Sequence, residues 1–267
     1  MAEANPDSKF FKKKSIRVAG LSSLKLGLLV FFTLLLITEF SIVGITSSKL
    51  SNHLSLLAFS LTPSLFLASY VVIYEGVSKK ALVGTFIASI AFSAVPAAVN
   101  PLINVLALGT MMAIIQLIIV PVEEVAKLAS VTFFRNSIEK PMDGAAFGAM
   151  AGLAFALVEN IFYVTGAGAG IEMAVTRAVA ASGHVIFSTV AGYFFATAYF
   201  KSGAWNKLKT VMKGMGIAMA FHLVYNYIAI IMPVIPSVVA AGILVTFFVV
   251  AGGYFTHLIE KESKTPT

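Results

Sequence analysis

Glu123, Glu124 and Lys127 interrupt an apolar segment that runs from about residue 101 to residue 134. Burying an ionised carboxylate at membrane depth is costly unless the group is paired, hydrated or bound to a metal ion. We therefore expect other segments of the chain to bring polar partners to these three side chains.

Later apolar segments contain candidate partners, namely Glu159, Asn160, His184, His222 and Asn226. Glu123 precedes Lys127 by four residues, the favourable order for an ion pair on a helix. If that pair forms, two carboxylates keep no cation, so they either stay protonated or share a divalent ion. Two histidines and a glutamate are a common ligand set for catalytic zinc, and a further carboxylate can act as general base on the bound water.

Small and polar residues recur every four positions in three of these segments, which places them on one face of a helix. Small residues let membrane helices approach closely, so each face is expected to lie in a helix interface and to carry its polar group away from lipid. The faces consist of Gly144, Gly148, Gly152, Ala156 and Asn160; of Ala180, His184, Ser188, Gly192 and Ala196; and of Gly214, Ala218, His222 and Asn226. In the segment before them, Gln116, Glu123 and Lys127 share a similar face.

The composition is that of a helical membrane protein. Of the 267 residues, 58% are hydrophobic and 12% are charged, and the mean hydropathy is +0.92. Soluble domains are typically about a quarter charged. The long apolar runs lack the alternation of a transmembrane barrel. The net charge of +7 comes without a basic face of interleaved aromatic residues, so nucleic acid is not an expected partner.

We predict an all-α, polytopic bundle of about eight membrane-spanning helices in the cell membrane. A basic tail at 1–25 precedes three spans within 26–100 and five spans within 101–257, and a second tail follows at 258–267. The spans are predicted at about 26–44, 54–74, 81–99, 102–134, 144–165, 173–200, 211–232 and 235–257. Lysines and arginines concentrate on the side of both termini, which makes the termini cytoplasmic. Lys49 and Arg177 are expected at the outer edge, and Asn100 with Pro101 in a short outer loop.

Four motifs in this order resemble the PrsW family of intramembrane metalloproteases. They are Glu-Glu-x-x-Lys at 123–127, Phe-x-x-x-Glu-Asn at 155–160, His-x-x-x-Ser at 184–188 and His-x-x-x-Asn at 222–226. The wider clan includes the CAAX prenyl proteases and the APH subunit of gamma-secretase. CAAX proteases usually carry Glu-Glu-x-x-x-Arg and Phe-x-x-x-His. Here the lysine comes one residue earlier and Glu159 replaces that histidine, which favours PrsW.

The resemblance implies a site-1-type protease that cuts a single-span, membrane-anchored substrate such as an anti-sigma factor near the outer face. We predict Glu159, His184 and His222 as ligands of a divalent metal, most simply Zn²⁺. Glu123 or Glu124 is the expected base, Asn226 an oxyanion donor, and Lys127 and Asn160 are supporting residues. The sequence does not decide which glutamate is base and which is ligand. A proton-coupled transporter and a non-catalytic membrane scaffold are the alternatives.

Overall fold

The computed structural model describes residues 49–75, 77–106, 112–165 and 170–231, together with residues 246, 250, 253, 254 and 257. The described residues between 49 and 231 are helical and contain no strand, which confirms an all-α fold. They form α1 (Lys49–Glu75), α2 (Lys79–Phe92), α3 (Ala94–Leu106), α4 (Met112–Phe133), α5 (Pro141–Thr165), α6 (Ile171–Tyr199) and α7 (Ala204–Ile231). A short 3₁₀ turn, Arg135–Ser137, lies between α4 and α5.

Four described stretches are long and apolar enough to cross a membrane: His53–Val72, Lys79–Asn100, Pro141–Val164 and Met173–Tyr199. They correspond to the second, third, fifth and sixth predicted spans. The first predicted span and nearly all of the last lie outside the described residues. The total of eight spans and the cytoplasmic position of both termini therefore stay predictions.

The prediction of an outer loop at Asn100 and Pro101 is wrong, because both residues lie inside α3. Helical hydrogen bonds continue across the junction of α2 and α3, where the amide of Ser93 donates to Ser89 and that of Ala97 donates to Ser93. Asn followed by Pro is an ordinary turn signal in a sequence. Here the Asn100 amide donates to a carboxylate of α4 instead of to water. The apolar run predicted as one span at 102–134 accordingly contains the end of α3 and, from Met112, a separate helix.

The predicted small-residue faces of α5 and α6 pack directly against each other. A Cβ atom added at Gly144, Gly148 or Gly152 would collide with the backbone carbonyl of Gly192, Ser188 or His184, respectively. The two backbones are therefore in contact at three positions over about two turns, as the spacing of four predicts. A Cβ atom added at Gly214 of α7 would instead collide with the Phe194 side chain of α6. This close approach fixes the position of His184 relative to α5.

We expect Gly148→Ala to lower the thermal stability of the protein in detergent, because the new methyl group must push the Ser188 carbonyl away. Overpacking of this kind costs about 1–3 kcal/mol. Gly216→Ala is the matched control, since an added Cβ there has nothing within 4 Å. The midpoint of thermal unfolding, followed by circular dichroism, measures both. Equal midpoints in the two variants would contradict the close contact of α5 with α6.

Candidate active site

Helix α4 contributes the acidic centre of the site. Glu123, Glu124 and Lys127 are all buried, with 5%, 1% and 1% of their surface exposed. Adjacent residues on a helix point about 100° apart, so the two glutamates meet different partners. Glu123 accepts a hydrogen bond from the Asn100 amide of α3 at 2.8 Å. Glu124 accepts one from Lys127 at 2.5 Å.

The ion pair on α4 differs from the predicted one. Lys127 pairs with Glu124, whereas the sequence analysis paired it with Glu123. Lys127 also reaches across to α6, where its Nζ lies 3.1 Å from Nδ1 of His184. Its ammonium group stands 4.7 Å from the centre of the Phe155 ring of α5. One buried lysine therefore links three helices.

His222 of α7 stands between the two glutamates. Its Nδ1 lies 2.7 Å from Oε1 of Glu124, a hydrogen-bond distance. Its Nε2 lies 3.7 Å from Oε2 of Glu123, which is too long for a hydrogen bond. The His222 ring meets the His184 ring edge to face at a centroid distance of 5.0 Å, and the Phe187 ring stacks on it at 5.6 Å. His222 therefore contacts two aromatic rings and shares a hydrogen bond with one carboxylate.

Glu159 of α5 holds the other end of the His184 ring. Its Oε2 lies 2.7 Å from Nε2 of His184 and accepts a second hydrogen bond from Arg177 at 2.5 Å. Arg177 donates through Nε to the side-chain oxygen of Asn160 at 2.8 Å, and Asn160 donates to the Ser60 hydroxyl of α1. A continuous polar network therefore joins α6 to α5 and α1.

Arg177 belongs to the site, although the sequence analysis did not place it there. It was expected near the outer edge of the membrane, and the structure shows that it is also buried in the bundle, with 7% of its surface exposed, and that it pairs with Glu159. A seven-residue spacing puts Arg177 on the same helical face as His184, and this was the available signal. The cluster thus contains three carboxylates, of Glu123, Glu124 and Glu159, and two cations, of Lys127 and Arg177. With neutral imidazoles its net charge is −1, whereas the sequence analysis, which counted Lys127 alone, expected −2.

Asn226 lies one turn beyond His222 on α7, and its amide donates to Oε1 of Gln116 at 2.7 Å. Gln116 is on the face of α4 that also carries Glu123, as the sequence predicts. The contacts described for Asn226 do not include the glutamates or the histidines, so its role as an oxyanion donor stays a prediction.

Glu123, His184 and His222 each offer a ligand atom, and these three atoms lie within 4.8 Å of one another. Two imidazoles and one carboxylate form a donor set suited to a divalent metal. The gap of 3.7 Å between Glu123 and His222 suits two ligands that each lie about 2.0–2.2 Å from one shared ion. The structure thus groups Glu123 with the histidines, whereas Glu159 was the predicted third ligand and contacts His184 and Arg177.

Arg177→Gln should destabilise the protein, because it leaves the Glu159 carboxylate without its cation. Breaking a fully buried ion pair costs about 3–5 kcal/mol. The Glu159 side chain is 24% exposed, so a smaller loss is expected. Adding Glu159→Gln to this variant should restore part of the stability. Ser60→Ala is the control, since it removes the acceptor of Asn160 but leaves the ion pair. Additive losses in the double variant, measured by thermal unfolding, would refute the coupling.

Comparison with known proteins agrees with the family that the motifs resemble. The sequence pattern described as PrsW family intramembrane metalloprotease matches residues 77–252, which is more than half of the chain. Protease PrsW of Geobacillus kaustophilus (strain HTA426) is 37% identical over 82 residues, covering 29% of this chain and 36% of that relative. The match thus spans about a third of the relative's length. No solved structure matches the chain. By the extent of the family match and by its motifs, this chain belongs to the PrsW family of intramembrane metalloproteases.

Proposed function

We propose that this protein is an intramembrane metallopeptidase that hydrolyses a peptide bond of a membrane-anchored protein. The observation that carries the proposal is the meeting of Glu123, His184 and His222 inside the helix bundle, with ligand atoms within 4.8 Å of one another. These side chains come from three helices, and all are buried. A transmembrane interior holds such groups only when they have partners or a function.

In the proposed site, Glu123, His184 and His222 bind the metal, and Zn²⁺ fits this donor set best. A bound zinc ion supplies Lewis acidity and a water molecule that ionises near neutral pH. Glu124 orients His222 through Nδ1, and Glu159 orients His184 through Nε2. Carboxylates behind ligating histidines commonly fix the ring and its tautomer in this way.

Both ring nitrogens of His184 have partners, so ligation by His184 requires the release of one of them. Lys127 is the better candidate for release, because its ammonium group would repel a cation and because Glu124 also holds it. The flexible four-carbon side chain of Lys127 can move its ammonium group away from His184. The carboxylate of Glu159 is less free to move, because Arg177 also holds it. We assign Lys127 the role of counter-ion to Glu124.

Glu124 is the proposed general base. Its Oε1 is occupied by Lys127 and His222, but its Oε2 is buried and has no hydrogen-bond partner among the described residues. That oxygen is free to accept a proton from water and to return it to the leaving amine. The Asn226 amide would donate to the oxyanion of the substrate in place of Gln116.

The substrate is proposed to be a single-span membrane protein cut near the outer face. Glu159 is six residues from the end of α5 and Arg177 six residues from the start of α6, about 9 Å along each helix axis. The Glu159 side chain is 24% exposed, more than any other ionisable group of the site. The lysine-rich ends of α6 and α7 lie at the opposite end of the bundle. Access from the Glu159 end therefore favours a cut on the outer side.

The roles of the two adjacent glutamates can be separated by measuring metal content and cleavage in the same variants. Glu123→Gln and His222→Ala should lose both the bound metal and the cleavage of a single-span reporter. Glu124→Gln should keep the metal but lose about 10²–10⁴-fold in cleavage rate, the usual contribution of a general base. Elemental analysis of purified protein and a gel-shift assay in proteoliposomes provide the two readouts.

Ser188→Ala is the control for this experiment, because its hydroxyl is buried near His184 on α6 and has no hydrogen-bond partner among the described residues. It should keep both the metal and the cleavage. Unchanged cleavage in Glu123→Gln and Glu124→Gln would end the peptidase proposal. If the wild-type protein cleaves the reporter but contains no stoichiometric metal, the proposed metal mechanism is wrong.

A proton-coupled transporter is the second candidate, since Lys127, His184 and Glu159 form a hydrogen-bonded line of the kind used in proton relays. The peptidase proposal predicts that proteoliposomes containing the wild-type protein show no more proton flux than those containing Glu124→Gln. A pH-sensitive dye inside the vesicles measures this flux. Flux that Glu124→Gln abolishes would favour the transporter.

A further inference from the structure

A groove of about 480 Å³ lies where α6 ends and α7 begins, at the opposite end of α6 from Arg177. It is lined by Phe200, Lys201, Ser202, Asn206, Lys209 and Thr210. This is within the usual size range of a small-molecule site. None of the residues of the candidate active site lines it.

The groove is strongly positive. Its two lysines and the neighbouring Lys207 and Lys213 are all exposed, and the sequence contains no acidic residue between 173 and 259. The start of α5 lies at the same end of the bundle, because Gly144 packs on Gly192 and Ala196. The acidic residues there are Asp143, whose buried carboxylate accepts hydrogen bonds from two backbone amides, and the exposed Glu139, and neither lines the groove.

The groove also lies at a membrane boundary. The candidate span Met173–Tyr199 ends one residue before its first lining residue. Phe200 lines the groove, and Tyr199 and Trp205 each precede a lining residue in the chain. Tyr199, Phe200 and Trp205 are 44%, 51% and 64% exposed. Exposed aromatic residues at a span end are typical of the lipid headgroup region. Lys209 stands over the Trp205 ring at 5.0 Å, which holds its ammonium group beside the groove.

We propose that this groove binds the phosphate headgroup of an anionic phospholipid. Lys201 and Lys209 provide the positive charge, the Ser202 hydroxyl provides a further donor, and the aromatic rings contact the upper part of the acyl chains. Clusters of lysine directly beside a membrane span recognise anionic lipids in this way. The proposal is independent of the peptidase function, because it uses none of the same residues.

Trp205 is the chain's one tryptophan, and Lys209 of the groove lining stands over its ring, so its fluorescence reports on lipid beside the groove. The full chain is reconstituted into vesicles of unbrominated phosphatidylcholine that contain a fixed mole fraction of one brominated lipid. That lipid is phosphatidylglycerol in one sample and phosphatidylcholine in the other, each brominated on its acyl chains. Bromine quenches tryptophan on contact. Brominated phosphatidylglycerol should quench Trp205 more strongly than brominated phosphatidylcholine, each measured relative to unbrominated lipid.

The double variant Lys201→Gln/Lys209→Gln should lose this preference, and Lys201→Arg/Lys209→Arg should keep it. The matched control is Lys79→Gln/Lys80→Gln, which removes the same charge from two exposed lysines. These lie at the same end of the bundle, since Gly84 meets Phe134 just before α5. The control should keep the preference.

Equal quenching of the wild-type protein by the two lipids would overturn the proposal. So would an equal loss of preference in the two glutamine variants, which would indicate general surface charge instead of a site. Loss of preference in the arginine variant would show that the lysine substitutions act through folding, and would also count against it. If millimolar inorganic phosphate abolishes the preference, the groove is a soluble-phosphate site and the lipid assignment is wrong.

Discussion

The interaction on which the site depends is the mutual neutralisation of charges that have been removed from water. Three carboxylates and two cations are buried or half-buried within one helix bundle, and each has a partner on another element or one turn away. Desolvation makes every such group costly alone, and a partner from another helix offsets that cost. The ion pair of Arg177 with Glu159 joins α6 to α5, and the contact of His222 with Glu124 joins α7 to α4. The polar groups that serve chemistry therefore also determine which helices lie together.

Close helix contact makes these pairings possible. Where Gly152 lies against the His184 carbonyl, no side chain separates α5 from α6. Glu159, two turns further along α5, can then reach the His184 ring with a side chain of ordinary length. Larger residues at the glycine positions would separate the backbones and lengthen each charged contact. The small-residue faces thus control the electrostatics of the site through distance.

Much of the site could be predicted from the sequence, because intramembrane charge and helical spacing are both strong constraints. The meeting of His184 and His222 with the glutamates follows from placing the small-residue faces in helix interfaces, because buried carboxylates need partners there. The partner choices could not be predicted. Whether Lys127 pairs with Glu123 or Glu124 depends on side-chain rotamers and on His184 across the interface, since helices allow both spacings.

Two polar residues near predicted span ends have partners inside the bundle that the sequence analysis did not anticipate, and for a common reason. Asn100 precedes a proline and Arg177 follows a glycine-rich stretch by a few residues, and both features are typical of loops and membrane borders. Each side chain instead points inward, because a carboxylate of a neighbouring helix needs a donor. Tertiary partners that are distant in sequence decide such cases, and spacing within one segment does not contain them.

The net charge of the cluster bears on how the two neighbouring glutamates can differ in role. With neutral imidazoles, Glu123, Glu124 and Glu159 exceed Lys127 and Arg177 by one negative charge. A divalent ion held by Glu123 and the two histidines would change that balance to one positive charge, the sign that stabilises a developing oxyanion in a low-dielectric site. Glu124 is not required as a ligand for this change in charge, since it contacts Nδ1 of His222 and pairs with Lys127. Adjacent carboxylates pointing about 100° apart on one helix can therefore divide the work, one setting the charge of the centre and the other keeping an oxygen free for proton transfer.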